Sequence, residues 1–173
     1  MRDQPDDQGR ERADTATPIG LLMLETGFPR PPGDIGSPAT FPFPVLTRVV
    51  PGASAERVVR RRAEGLLPAF VAAGRALVAE GAAAITNSCG FLALVQDDLA
   101  AALGVPVAAS SLAQVAPVNR LLPPGRRAGI LTISASTLSP DHLAAAGVPP
   151  GTPVATTEGG REFTRAILSD ADT

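Results

Sequence analysis

The sequence predicts an α/β protein with mostly parallel sheets flanked by helices. Three observations predict it. From residue 18 onward short apolar runs alternate with stretches of helical spacing. Glycines or prolines stand where those stretches begin and end. Polar, hydroxyl or thiol side chains follow the apolar runs, the place where parallel sheets present chemistry to ligands.

Taken in order, Ile19 to Leu24 reads as a buried strand, and a Pro/Gly-rich loop from Phe28 to Pro38 follows. Phe43 to Val50 reads as a second strand. Ser54 caps a helical stretch in which Leu66, Leu67, Phe70, Val71, Leu77 and Val78 recur at helical spacing until Gly81. Ala83 to Thr86 is a third strand, and a helix from about Gly90 to Leu103 stops at Gly104. Val105 to Ala109 makes a fourth strand, Ser111 to Leu122 another helix and Ala128 to Ile133 a fifth strand. Ser139, Pro140 and Asp141 supply a cap, a first-position proline and a first-turn acid, and Gly147 stops the helix they start. Thr152 to Thr156 and Arg161 to Leu168 repeat the alternation. The expected organisation is a polar, disordered tail over 1–17, a first α/β domain over 18–125, and the start of a second over 126–173.

Composition narrows the function. Fifteen Lys+Arg against 17 Asp+Glu give a net charge of -2, no footprint for nucleic acid or an anionic membrane. Six Phe with no Trp or Tyr supply few stacking platforms for bases. One cysteine excludes an internal disulfide, and one histidine removes most metal and Ser-His chemistry. No metal site is therefore expected. Met1 to Asp14 has no apolar core and no later run is long enough to span a bilayer, so the expected location is a reducing cytoplasm. No GxGxxG or Walker pattern follows a strand.

Four junctions carry chemistry: Glu25-Thr26-Gly27 after the first strand, the loop bearing Arg30 and Asp34, the segment Thr86-Asn87-Ser88-Cys89-Gly90-Phe91, and the hydroxyl-rich turn Thr132 to Thr137. Each has a plain alternative. Glu25 fits a solvated loop, Arg30 and Asp34 can pair with each other, the hydroxyls suit turns, and a lone cysteine is often a small buried hydrophobe. Cys89 stands out because it ends an apolar run and begins a helical pattern, where a helix N-terminus favours a thiolate, and because polar residues precede it. His142 falls inside the helix after Ser139, on the surface or partly buried.

The segments Leu24-Glu25-Thr26, Phe28-Pro29-Arg30 through Gly33-Asp34-Ile35-Gly36, Cys89-Gly90-Phe91 and Gly129-Ile130-Leu131-Thr132 with its following serines together resemble the aspartate/glutamate racemase family. The closest likeness is to a group within it that has a proline-rich first loop. The resemblance runs from about Ile19 to Leu168 and implies two similar α/β domains with a cleft between them. It implies cofactor-independent amino-acid racemase chemistry at the carbon α to a carboxylate. In such enzymes one thiolate removes a proton and a second thiol returns one from the opposite face. On this resemblance Cys89 is the thiol acid/base, with a lowered pKa, and Glu25 helps to poise it. Thr86, Asn87 and Ser88 hold substrate, and Thr132 and Ser134 add donors. The implied partner is a small carboxylate or amino-acid substrate, and the likeness is compatible with a homodimer.

The chain departs from the family pattern after Cys89, where Gly90-Phe91 replace a polar pair, and it lacks the second cysteine. The expectation is a C-terminally truncated member. Three readings follow: a racemase or close relative, a one-cysteine decarboxylase or lyase on the same scaffold, and a non-catalytic fragment that binds small molecules or needs a partner.

Overall fold

The computed structural model describes residues 16–169. Six strands form two parallel sheets: β1 (Ile19–Met23), β2 (Val45–Val49), β3 (Ala84–Asn87) and β4 (Val107–Ala108) in the order β2-β1-β3-β4, and β5 (Ile130–Thr132) beside β6 (Val154–Thr156). The helices are α1 (Ala55–Val59), α2 (Leu67–Ala79), α3 (Gln96–Leu103), α4 (Val115–Leu121), α5 (Pro140–Ala145) and α6 (Arg161–Ser169). The α/β class with parallel sheets is thus the observed one. The polar tail over 1–17 lies almost wholly outside the described residues. Among those residues no helix is long and apolar enough to cross a membrane.

β1 is central, so its side chains are covered on both faces and four of its five residues are buried. β2 is an edge and turns progressively outward. The largest buried side chains, Phe70 and Leu77 of α2 and Leu99 of α3, join Leu22 of β1, Ile85 of β3 and Val58 of α1 in one core. Leu168 of α6 joins that core too, which ties the last helix to α1. A smaller cluster of Ala93, Leu112, Val115 and Ile130 lies under the second sheet. Two glycines permit close layers. A Cβ at Gly20 would sit 2.4 Å from Ile85 Cδ1, and one at Gly74 would sit 2.7 Å from Leu103 Cδ1.

The long helical stretch predicted after Ser54 is two helices. Ser54 does cap the first, its hydroxyl accepting from the Arg57 N–H at 3.2 Å. The chain then turns through left-handed backbone at Arg62, Ala63 and Gly65, with φ of 55°, 56° and 71°. Pro68 gives the physical reason. In a continuous helix its ring would clash with a carbonyl one turn back, whereas near the start of α2 its missing N–H costs nothing. The predicted helices at Gly90 and Ser111 open instead with 3₁₀ turns, Gly90–Val95 and Ser111–Gln114, before α3 and α4. His142 is fully buried rather than at the surface. Its Nδ1 lies 2.9 Å from the Ser139 hydroxyl, and its ring stands edge-on to Phe91 at 5.3 Å.

Candidate functional site

The carboxyl ends of β1 and β3 are neighbours because the two strands pair in parallel. They open onto a cleft of about 330 Å³ whose far wall is β5 and the residues that flank it. The loop after β1 contributes Leu24, Thr26, Phe28 and Arg30, and the turn after β3 contributes Ser88, Cys89, Gly90 and Phe91. Ile130 to Ile133, Val115 of α4 and Ile167 of α6 close the rest, so the walls are mainly apolar.

Cys89 is half-buried, in extended backbone immediately before the 3₁₀ turn. Burial pushes its thiol up from an ordinary 9.0 to about 11, and a hydrogen bond from the Phe91 backbone N–H opposes that rise only weakly. The expected lowered pKa is therefore overturned. No α-helix begins at Cys89: a 3₁₀ turn follows it and the first α-helical residue is Gln96, and the Phe91 N–H that reaches the sulfur does not offset its burial. The resting thiol at neutral pH carries its proton.

Asn87 holds the turn that presents the thiol. Its side chain is buried, with Nδ2 donating to Ala109 O at 2.8 Å and Oδ1 accepting from the Cys89 N–H at 2.7 Å. Both ends of the amide are spent on backbone, so Asn87 positions Cys89 and does not face the cleft. Thr86 likewise donates to Ala108 O at 3.0 Å and is not among the lining residues. Ser88 does line the cleft. Its Oγ accepts from the Leu24 N–H at 3.0 Å, which leaves its own proton to donate.

Glu25 is turned elsewhere. Its exposed carboxylate accepts from the Gly52 N–H at 2.8 Å, and it is not among the lining residues, so it is not placed to poise the thiol. Thr132 lines the cleft, but Ser134 does not. The Ser134 hydroxyl is buried and donates to Glu158 at 2.7 Å, and Ser136 donates to the same carboxylate. These hydrogen bonds hold the Glu158 carboxyl down at about 2. Of the seven predicted site residues, Cys89, Ser88 and Thr132 share the cleft, whereas Glu25, Thr86, Asn87 and Ser134 serve the framework around it.

Sequence reasoning named the loop bearing Arg30 and Asp34 as a junction with chemistry, with their mutual pairing as the plain alternative, and assigned Arg30 no role in the site. The structure shows the pair, with Nη1 3.1 Å from Asp34 Oδ1, but Arg30 also donates from Nη2 to Thr26 Oγ1 at 2.8 Å. Its guanidinium carbon lies 4.2 Å from the centre of the Phe28 ring. The spacing of Thr26, Phe28, Arg30 and Asp34 in the loop was the available signal. Among the described lining residues Arg30 is the only charged side chain.

No family model matches the chain. Among curated proteins, dimethylsulfoniopropionate lyase 7 of Emiliania huxleyi is 30% identical over 123 residues, which cover 70% of this chain and 36% of the lyase. A dimethylsulfoniopropionate lyase of Durusdinium sp. clade D is 29% identical over 126 residues, covering 72% of this chain and 42% of that protein. The match thus spans well under half the length of these relatives. A glycine-to-cysteine variant of arylmalonate decarboxylase in a sulfate-associated form superposes with a TM-score of 0.55 at 18% identity, over 86% of this chain and 65% of that one. An aspartate racemase homologue from Pyrococcus horikoshii superposes with a TM-score of 0.50 at 18% identity, over 88% of this chain and 70% of that one. The fold is therefore the racemase-like α/β fold that these two structures share.

Proposed function

We propose that this cleft transfers a proton at a carbon next to a carboxylate, with Cys89 as the group that carries the proton. One observation carries the reading: a half-buried, uncharged thiol opens onto an apolar cleft that also contains a fixed guanidinium. A carbanion beside a carboxylate spreads its charge onto the carboxylate oxygens. A neutral thiol in apolar surroundings is suited to return a proton to that carbon. The hydrogen bond from the Phe91 N–H then stabilises the thiolate left behind. Ser88 has a hydroxyl proton to meet a polar group of the substrate, whereas the Thr132 hydroxyl, beside the same cleft, bonds the Ser134 backbone.

Within this reading, delivery of a proton to one face of the carbanion left by loss of carbon dioxide is favoured over two-thiol racemisation; an elimination would require the thiol first to lose its proton to water, so that the thiolate takes the α-proton as the leaving group departs. The curated relatives named as lyases, and the decarboxylase fold neighbour, support the same branch. The substrate would be a small carboxylate, and the amino-acid racemase reading is its competitor.

The test is incubation of the chain and of Cys89→Ser in deuterated water with phenylmalonate, dimethylsulfoniopropionate, aspartate and glutamate, followed by NMR. Cys89-dependent loss of carboxylate or of dimethyl sulfide, without α-deuteration of the amino acids, is the expected result. Interconversion of D- and L-amino acids would establish racemisation instead. Turnover that survives in Cys89→Ser would remove the thiol from the mechanism.

A further inference from the structure

Arg30 has three contacts that fix it and a position that those contacts do not explain. Asp34 holds one terminal nitrogen, Thr26 holds the other and Phe28 covers the guanidinium face. The supports are themselves anchored. Asp34 Oδ1 also accepts from the Gly36 N–H at 2.7 Å, and Asp34 O accepts from the Thr40 hydroxyl at 2.5 Å. Gly36 leaves room for the arginine stem, since a Cβ there would lie 3.2 Å from Arg30 Cδ and 2.5 Å from Met23 Cε. An arginine needed only to pair with Asp34 would require none of this.

The arrangement leaves the guanidinium with donors to spare. Two of its N–H groups are used, one toward Asp34 and one toward Thr26. Its side chain is only 18% exposed, and Arg30 lines the cleft whereas Asp34 does not. A cation set in an apolar wall is less screened by water than a free surface arginine, and because it is already held in place an incoming anion need not order it. Its planar fork suits the two oxygens of a carboxylate.

We infer that Arg30 is the specificity-determining residue of the cleft, a preorganised clamp for the carboxylate of a small, mainly apolar acid. The inference deepens the proton-transfer reading and rests on it for the carboxylate's purpose. β1 and β3 are hydrogen-bonded neighbours, so the clamp and Cys89 are presented from adjacent strand ends into one cleft. A carboxylate held there leaves its α-carbon and the apolar body to the side of the cleft that carries the thiol. Thr26, Phe28 and Asp34 act through Arg30 and are positioning residues.

The experiment uses the ¹⁵N-labelled chain, titrated with acetate, propionate and phenylacetate and with the corresponding amides, while arginine side-chain and backbone resonances are followed. Saturable shifts at Arg30 Nε–H and at Cys89 and Thr132 N–H with acids but not amides are expected. Arg30→Gln, read at the backbone resonances, should weaken phenylacetate binding about tenfold, the scale of one charge-assisted hydrogen bond. Arg30→Lys, which keeps the charge without the fork, should fall between. Equal binding of acids and amides, no binding of either, or undiminished acid binding in a folded Arg30→Gln would overturn the inference. If Arg30→Gln does not fold, the acid-against-amide comparison in the unaltered chain decides. Acid binding that persists in Cys89→Ser without any turnover in the unaltered chain would uphold the clamp and reject the proton-transfer reading, so the two failures are separable.

Discussion

The ionisation of Cys89 is the sharpest quantity in the structure, and one reagent can read it because the chain has a single thiol. Alkylation by iodoacetamide proceeds through the thiolate, so its rate against pH traces ionisation. Burial raises the folded-state value from 9.0 to about 11. That displacement lowers the thiolate fraction near pH 8 about a hundredfold relative to an ordinary cysteine. The rate per exposed thiol should therefore climb tenfold per pH unit to the highest pH at which the fold persists. The same chain in concentrated guanidinium should level off near pH 9, an internal reference for the same residue. Linkage gives a second reading with a definite sign. The native pKa lies above the unfolded one, so this group's contribution to stability is complete below about pH 9 and is lost as pH rises toward 11. A native profile that levels off at or below pH 9 would refute both the desolvation argument and the assignment of Cys89 as a resting acid.

Three further outcomes follow from other parts of the molecule. His142 is buried, and its pKa is pushed below the usual 6.5 first by burial and then by Arg62, with Asp141 opposing. Stability from this site should be complete above about pH 6.5 and fall as the solution is acidified, so Tm should drop toward pH 5 in the unaltered chain and much less in His142→Phe; equal slopes would reject the assignment. Gly20→Ala forces a methyl to 2.4 Å from Ile85 Cδ1, with Ala82 and Leu77 close behind at 3.1 and 3.2 Å. It should cost about 1–3 kcal/mol in urea unfolding, and Ile85→Val should recover part of that loss in the double variant; strictly additive costs would disprove the clash. Asn87→Ala strands the Cys89 N–H and Ala109 O and should cost about 2 kcal/mol or more, with altered alkylation kinetics at Cys89. An unchanged midpoint in denaturant would show that Asn87 is dispensable.

Strands were legible because their signal is local. The apolar runs from Ile19 and Ala83 correspond to β1 and β3 to within a residue or two, and the junction after β3 drew attention to Cys89. The split between α1 and α2 was legible in principle. Pro68 stood inside the apolar periodicity, but the periodicity continues across the break and outweighed it. What one sequence could not show was which backbone groups would claim the polar side chains. Thr86, Asn87 and Ser134 have the residue types that bind substrates, yet carbonyls of β4 and its end and the Glu158 carboxylate, brought in by other segments, and the nearby Cys89 N–H occupy them. The thiol's pKa was misjudged for a related reason. A helical pattern beginning at Gly90 does not distinguish an α-helix from a 3₁₀ turn, and the apolar cleft onto which the thiol opens is lined by residues as distant as Ile130 and Ile167.

The central position of β1 also sets an order of assembly. Leu24 at its end and Ser88 after β3 are joined by a hydrogen bond across 64 residues, so the thiol turn meets the arginine loop only after β2, α1 and α2 have been laid down between them. Such non-local parallel pairing is slow, because loop closure is incurred before the contacts form. Until β3 docks, β1 exposes a bare apolar edge, a template for pairing with another chain. The meeting of the thiol turn with the arginine loop and the removal of that hazard are therefore one kinetic event, and substitutions that delay β3 should appear first as aggregation during refolding, before any change in the folded protein.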